Sequence, residues 1–355
     1  VLICVIRLIR VQISQILICV NLRNPFKSVI PIIGVFMSYE KEKEIAITAT
    51  LSAWKLCERV RQNIPQAMEK NDKSPVTVAD YGSQAIICKA LAEVFPNDPV
   101  VGEEDATELQ TPEMAENLAK ITEYVQEIIP DATSEQIINW INQGNGKVEK
   151  RFWTLDPIDG TKGFLRQDQY AIALALIEDG EVKVGVMGCP AYPVENHQPG
   201  ALFVAVRGQG ATMIIVATGE EIPIQVVPEN DMENLRFVGS IEASHGDIER
   251  QDAVAKAVGI IAPAVKMDSQ AKYGAVASGK AALYLRLPSP KTPNYRENIW
   301  DHAAGAIVVE EAGGRVSDMF GKPLDFASNP KMLDNRGIIV SNGIIHDTVL
   351  GVLNQ

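Results

Sequence analysis

Asp156 and Asp159 lie in the segment Asp156-Pro157-Ile158-Asp159-Gly160-Thr161, directly after the apolar run Phe152-Trp153-Thr154-Leu155. A strand ending here, held by Pro157, lets both carboxylates point into one cleft. Hard divalent cations take oxygen ligands, and the two carboxylates with the main-chain carbonyl of Ile158 supply them. Gly160 lets the backbone approach closely. A helix or turn starting at Thr161 would offer free N–H groups to a phosphate. Surface turns also use Asp, Pro and Gly. The buried-looking residues before the segment and Gly160-Thr161-Lys162-Gly163 at its end favour a site over a turn.

Other acids read more evenly. Gly102-Glu103-Glu104 follows the short apolar pair Val100-Val101. Adjacent carboxylates repel unless a cation faces them, but a solvated loop tip accommodates them equally well. Asp301, in Trp300-Asp301-His302-Ala303-Ala304-Gly305-Ala306, suits a helix N-cap as well as a ligand position. Asp80 has the position of a first-turn helix acid, which the helix dipole favours, and nothing local separates that reading from a functional one.

The elements that must position these residues follow from periodicity. Residues 40–63 repeat Ile45, Ala49, Leu56 and Val60 at helical spacing. Residues 73–77 predict a turn and 79–94 a helix, which Phe95-Pro96 ends. Residues 111–146 form a polar helical insertion, with helix starts at Pro112 and Ser134. Asp179-Gly180 between two apolar runs predicts a type I′ hairpin, and Gly208-Gln209-Gly210 a second one. After about Thr218 strands alternate with helices: a strand at 236–239, helices at 247–258 and 303–312, strands at 315–316 and 337–340, and a last helix after His346.

The chain has 355 residues, 46% hydrophobic and 22% charged, enough for two domains or one large α/β unit. A net charge of -12 argues against a general binder of nucleic-acid polymers. The 5 cysteines form no C-x-x-C pair and their count is odd, so neither a zinc cluster nor a disulfide framework is expected, and a reducing compartment is the simplest setting. Residues 1–36 carry no acid and only Arg7, Arg10, Arg23 and Lys27. The arginines keep the apolar run short of the roughly 18 to 20 residues of a spanning helix. Residues 1–37 are therefore expected to lie outside the fold, which would start near Met37. A cytoplasmic location is expected, or an organellar one if 1–37 is a targeting segment. The expected division is 38–218, an α+β domain with the metal-binding residues, and 219–355, an α/β domain that completes the nucleotide site.

The set of motifs resembles the lithium-sensitive, metal-dependent phosphatase superfamily that contains inositol monophosphatase and fructose-1,6-bisphosphatase, and within it the 3′(2′),5′-bisphosphate nucleotidase branch. The matching segments are Asn71-Asp72-Lys73-Ser74-Pro75-Val76-Thr77, Val101-Gly102-Glu103-Glu104, Phe152 through the Asp-Pro-Ile-Asp motif to Gly163-Phe164-Leu165-Arg166, Met267-Asp268-Ser269-Gln270-Ala271-Lys272-Tyr273, Tyr284-Leu285-Arg286-Leu287-Pro288 and Ile299-Trp300-Asp301-His302-Ala303-Ala304-Gly305. The Gly-Thr-Lys-Gly-Phe-Leu-Arg and Asp-Ser-Gln-Ala-Lys-Tyr stretches point to the nucleotidase branch. The resemblance implies a five-layer α/β/α/β/α sandwich, α+β in its first half and α/β in its second. It implies that Glu103, Asp156, the Ile158 carbonyl, Asp159 and Asp301 hold about two or three Mg²⁺ ions. It implies that Asp80 and Thr161 orient and deprotonate water, and that Thr161, His245, Ser269, Lys272 and Arg286 hold the substrate. The implied reaction converts adenosine 3′,5′-bisphosphate to AMP and phosphate, with 3′-phosphoadenylyl sulfate as a second substrate. The substrate is a small nucleotide; no nucleic-acid polymer or membrane partner is expected. An inositol phosphate phosphatase and a silent nucleotide-binding regulator are the alternatives. The complete acidic set argues against silence, because unpaired carboxylates are unfavourable without a cation.

Overall fold

A computed structural model describes residues 38–63, 74–228, 231, 235–241 and 247–354, the side chains of 74–76 excepted. The readings made of residues 1–37 and of His245 fall outside the described residues.

Helix α1 (Glu40–Gln62) buries Ala46, Ala49, Ala53, Leu56 and Val60, the apolar stripe that its spacing predicts. Helix α2 (Ser74–Val94) corrects the reading of a turn over its described part, 74–77. Pro75 sits in the first turn, where its missing N–H removes no helical bond. Asp80 therefore lies past the first turn, and the helix dipole does not account for it. After β1 (Val100–Gly102) come α3 (Ala115–Gln126) and α4 (Ser134–Asn142) of the insertion. Thr133 and Gln136 close a capping box on α4: Gln136 N donates to Thr133 Oγ1 at 3.3 Å and Thr133 N to Gln136 Oε1 at 2.9 Å.

A seven-stranded sheet runs in sequence order through β1, β2 (Arg151–Asp159), β3 (Ala171–Glu178), β4 (Glu181–Cys189), β5 (Ala201–Val206), β6 (Gly210–Ile215) and β7 (Glu220–Ile224). Helix α5 (Thr161–Leu165) lies between β2 and β3. Within this sheet β1 and β2 pair in parallel and the other neighbours antiparallel. Asp179 and Gly180 both have positive φ, 54° and 77°, as the type I′ turn requires. Strand β7 has no counterpart in the sequence reading. Its Pro223 argues against a strand in general but is tolerated at a sheet edge.

The second sheet has the order β11-β12-β10-β8-β9, formed by β8 (Phe237–Gly239), β9 (Val265–Lys266), β10 (Leu283–Arg286), β11 (Arg315–Ser317) and β12 (Ile338–Ser341). Helices α6 (Ile248–Ala257), α7 (Ala271–Ala277), α8 (Ala303–Glu311) and α9 (His346–Leu353) complete the chain. The elements β9, α7 and β10 were not predicted. Every residue of α7 is buried, so it shows no amphipathic period to detect.

The layers match the expected sandwich. Helices α1 and α2 cover one face of the first sheet, α7 and α8 fill the space between the sheets, and α6 and α9 cover the far face of the second sheet. Strand alternation serves both faces of the second sheet: Tyr284 and Val340 join the core that also holds Phe203 and Tyr273, while Leu285 and Ile339 join the core under Phe237 and Val349. Cys57, Cys88 and Cys189 are free and buried. No helix of the described residues is long and apolar enough to cross a membrane.

Helix α8 approaches the first sheet closely because β4 carries Gly185, where a Cβ would lie 2.3 Å from Ile307 Cγ2 and 3.0 Å from the Ala304 carbonyl. Gly185→Ala is expected to destabilise the fold by about 1–3 kcal/mol through overpacking. Gly351→Ala, on α9 with nothing within 4 Å of the new Cβ, is expected to be neutral or stabilising by up to about 1 kcal/mol. Urea unfolding midpoints of the two variants would test this; equal shifts would show that α8 does not depend on Gly185.

Candidate active site

The end of β2 is bulged. Asp156 pairs with Ala173 and Asp159 with Ala171, so Pro157 and Ile158 together oppose the stretch around Ile172. A bulge asks no ladder N–H of Pro157, and its carbonyl accepts from Ser83 Oγ of α2 at 3.2 Å. Ile158 N donates to Asp156 Oδ1 at 3.0 Å, which fixes that carboxylate. Asp159 Oδ2 accepts from Gln270 N. Gly160 has φ 93°, and a Cβ there would stand 2.9 Å from Ser269 Cβ, so two separate constraints call for glycine. Ser269 itself has φ 61°, with its Oγ accepting from Ala271 N at 3.2 Å. Thr161 opens α5, as the motif predicts.

Glu103 continues the parallel ladder beyond β1, its N–H donating to Leu155 O at 3.2 Å, and so arrives beside Asp156. Asp301 precedes α8. His302 occupies the N-cap and makes no side-chain capping bond, so the helix-cap reading does not account for Asp301. Gln270 joins the parts: its Nε2 donates to Trp300 O at 2.9 Å and its Oε1 accepts from Gly305 N at 3.1 Å. A cleft of ≈ 280 Å³ results, lined by Glu103, Asp156, Ile158, Asp159, Thr161, Ser269, Lys272, Arg286 and Asp301 among others. Asp80 does not line it. It is buried on α2 and interacts electrostatically with Glu103 and Asp156.

The inositol monophosphatase family profile matches residues 41–355. The chain belongs to this family. It is 43% identical over 340 residues to the 3′(2′),5′-bisphosphate nucleotidase of Schizosaccharomyces pombe, covering 88% of this chain and 95% of that one. It is also 43% identical over 329 residues to the 3′(2′),5′-bisphosphate nucleotidase of Oryza sativa, covering 86% and 91%. Its fold is similar to that of inositol monophosphatase from Anabaena (Nostoc) sp., with a TM-score of 0.58 at 20% identity over 89% of this chain and 96% of the other.

In this member of the family the cleft concentrates negative charge. Burial pushes the Asp156 carboxyl well above the usual range, and Glu103, Asp159, Asp301 and Asp80 push it further. Asp159 is raised to about 6 by burial and by Asp301, against the pull of Lys272 and Arg286. Glu103 is raised to about 8 by desolvation and by Asp301, and the solvent that reaches it in the open cleft screens part of that effect. Burial also raises Asp301 and Asp80. On the other side, burial lowers Lys272 to about 8 although Asp159 supports its charge. Lys272 Nζ lies 5.2 Å from the Tyr284 ring centroid. The donors are all oxygen, and the acids of the lining outnumber its cations Lys162, Lys272 and Arg286, so the site fits a hard divalent cation such as Mg²⁺.

Sequence reasoning missed Glu297, His302 and Gln270. Glu297 Oε1 accepts from Arg286 Nε at 2.8 Å, and His302 Nε2 lies 3.4 Å from Glu297 Oε2. A polar loop hides Glu297, and only its place one turn's length before Asp301 hints at a role.

The carboxylates give the metal-free protein a specific pH dependence. Asp159 and Glu103 hold protons more tightly folded than unfolded, so their contribution favours folding at low pH and is lost as pH rises through about 6 and about 8. His346, buried and lowered to about 4, works the other way, adding stability as pH rises from about 4 toward 6.5. The melting temperature in chelator is expected to fall as pH rises toward about 6 through Asp159 and toward about 8 through Glu103, and Mg²⁺ to raise it most at the upper end, because binding releases those protons. Calorimetric melts with and without Mg²⁺ check this. Parallel curves would mean that the cluster takes no cation.

Proposed function

We propose that this cleft removes the 3′-phosphate of adenosine 3′,5′-bisphosphate, giving AMP and phosphate, and acts likewise on 3′-phosphoadenylyl sulfate. The observation that carries the reading is one cleft that combines an oxygen-donor cluster with the cations Lys272 and Arg286, in a chain 43% identical to proteins named for this substrate class. A monophosphate needs only the metal side. Two further cations suit a ligand with a second phosphate.

Glu103, Asp156, Asp159, Asp301 and the Ile158 carbonyl would hold the Mg²⁺ ions. When bound, Mg²⁺ neutralises charge on phosphate oxygens and makes a neighbouring water more acidic. Lys272, Arg286 and Ser269 fix the nucleotide, together with His245. Thr161 Oγ1, which lines the cleft, orients the attacking water and relays its proton to the Asp80 carboxylate behind it. The oxygen of water bonds to phosphorus as the bond to the 3′-oxygen breaks, and the 3′-oxygen takes a proton from solvent.

Specificity constants are expected to favour adenosine 3′,5′-bisphosphate over inositol 1-phosphate by about 100-fold or more, since a site built for a charged partner rejects a ligand that lacks it. Activity is expected to vanish in chelator and return with Mg²⁺. A reversed preference would support the inositol phosphate alternative, and binding without turnover the silent one.

Two substitutions separate ligand from base. Asp156→Asn is expected to weaken Mg²⁺ binding, since an amide carries no full charge. Asp80→Asn is expected to leave Mg²⁺ and nucleotide affinity close to wild type while kcat falls by roughly 100-fold or more. Titrations of both ligands alongside turnover distinguish them. Near-normal kcat in Asp80→Asn would remove Asp80 from the mechanism.

A further inference from the structure

Arg286 ends β10, half-buried, in the wall of the cleft that also holds Asp159 and Asp301. A guanidinium placed there has two competing partners: the nucleotide and the acids. It interacts attractively with both Asp301 and Asp159. Were it to pair with them, it would occupy the cation site and leave the substrate without a partner. Glu297 stands against that outcome. Its Oε1 takes Arg286 Nε at 2.8 Å, and its carboxylate lies within 4.8 Å of the Asp301 carboxylate and of a ring nitrogen of His302.

Glu297 is itself fixed. Its second oxygen faces His302 Nε2 at 3.4 Å, and His302 Nδ1 lies 2.7 Å from the Tyr273 hydroxyl. Burial opposes its charge, but Arg286 and His302 outweigh burial and hold the carboxyl down to about 2. It is therefore ionised and accepts only. His302 Nε2 then carries the proton, and in the neutral ring Nδ1 accepts from Tyr273 O–H. Tyr273 is anchored in turn, since a Cβ at Gly305 of α8 would lie 2.4 Å from its ring. The chain from Tyr273 through His302 to Glu297 thus runs from the rigid core to the cleft.

We infer that Glu297 is a positioning residue that holds Arg286 for the nucleotide and keeps it from neutralising the metal-binding acids. The inference rests on the proposed nucleotide and Mg²⁺ sites. It differs from a purely structural role in one respect: the damage done by losing Glu297 passes through Arg286, so removing Arg286 as well repairs part of it.

The test measures Mg²⁺ binding by calorimetry without nucleotide, together with kcat and KM. In Glu297→Gln, Mg²⁺ affinity is expected to fall about 10- to 100-fold, the range for losing a partner that orients a ligand shell, and KM for adenosine 3′,5′-bisphosphate to rise. Adding Arg286→Met is expected to return Mg²⁺ affinity to within about 3-fold of wild type while KM stays raised. Wild-type Mg²⁺ binding in Glu297→Gln, or no recovery in the double variant, overturns the inference. If Glu297→Gln does not melt cooperatively, Arg286→Met alone decides: undiminished Mg²⁺ binding with raised KM supports the role, and weakened Mg²⁺ binding overturns it. The Mg²⁺ titrations need no substrate. A wild-type enzyme inert toward the nucleotide would therefore sink the proposed function and leave the Mg²⁺ outcome readable.

Discussion

The structure depends on holding together carboxylates that repel one another. Asp156 is buried, with Asp159, Asp301 and Glu103 close enough to raise its pKa. No local segment would gather these acids spontaneously, because like charges repel and burial strips them of water. The scaffold must supply the constraint. It does so with backbone geometry: a parallel β1–β2 register that carries Glu103 beside Leu155 and Asp156, and a bulge at Pro157-Ile158 that re-aims the strand end. Neither depends on the protonation of the acids, so the frame survives changes in what occupies the cleft.

Beside Arg286 of β10, Gln270 at the start of α7 ties the second half of the chain to the site. Gln270 uses its backbone N–H on Asp159 and its side chain on Trp300 and Gly305, so the strand end of the first sheet, the start of α7 and the start of α8 are mutually located. That joint explains the small residues around it. Gly160 meets Ser269, Gly305 meets the Tyr273 ring, and Gly185 meets Ile307. A Cβ at any of them would push apart the layers that the Gln270 bonds hold in register.

These relations also mark how far the sequence could be read. The Asp-Pro-Ile-Asp-Gly-Thr segment, the Asp179-Gly180 hairpin and the α1 stripe are legible because their signals are local: two carboxylates near a proline, a turn needing positive φ, a period of 3.6. The sandwich followed from resemblance. Strand β7, with its edge proline, and α7, buried all round, lack the period that announces an element. Glu297 was invisible for another reason. Its significance is a relation to Arg286 and His302 across three elements, and nothing in Tyr295-Arg296-Glu297-Asn298 says which cation it will meet. Asp80 was misplaced at a helix start, and the start of α2 at Ser74 removes the dipole explanation.

Charge balance then separates the two ends of the cleft. Lys272 is buried against the Tyr284 ring and lowered to about 8, so it is a cation held at some expense of its own solvation and ready to gain from an anion. Arg286 is already matched by Glu297. An incoming anion therefore meets one under-compensated cation and one compensated but oriented one. At the acidic end the reverse holds, since the carboxylates exceed the positive charge that the protein supplies. A ligand that brings a cation to one end and an anion to the other relieves both imbalances at once. A magnesium-bound phosphate ester with a second phosphate has that charge distribution, and neither end alone would select it.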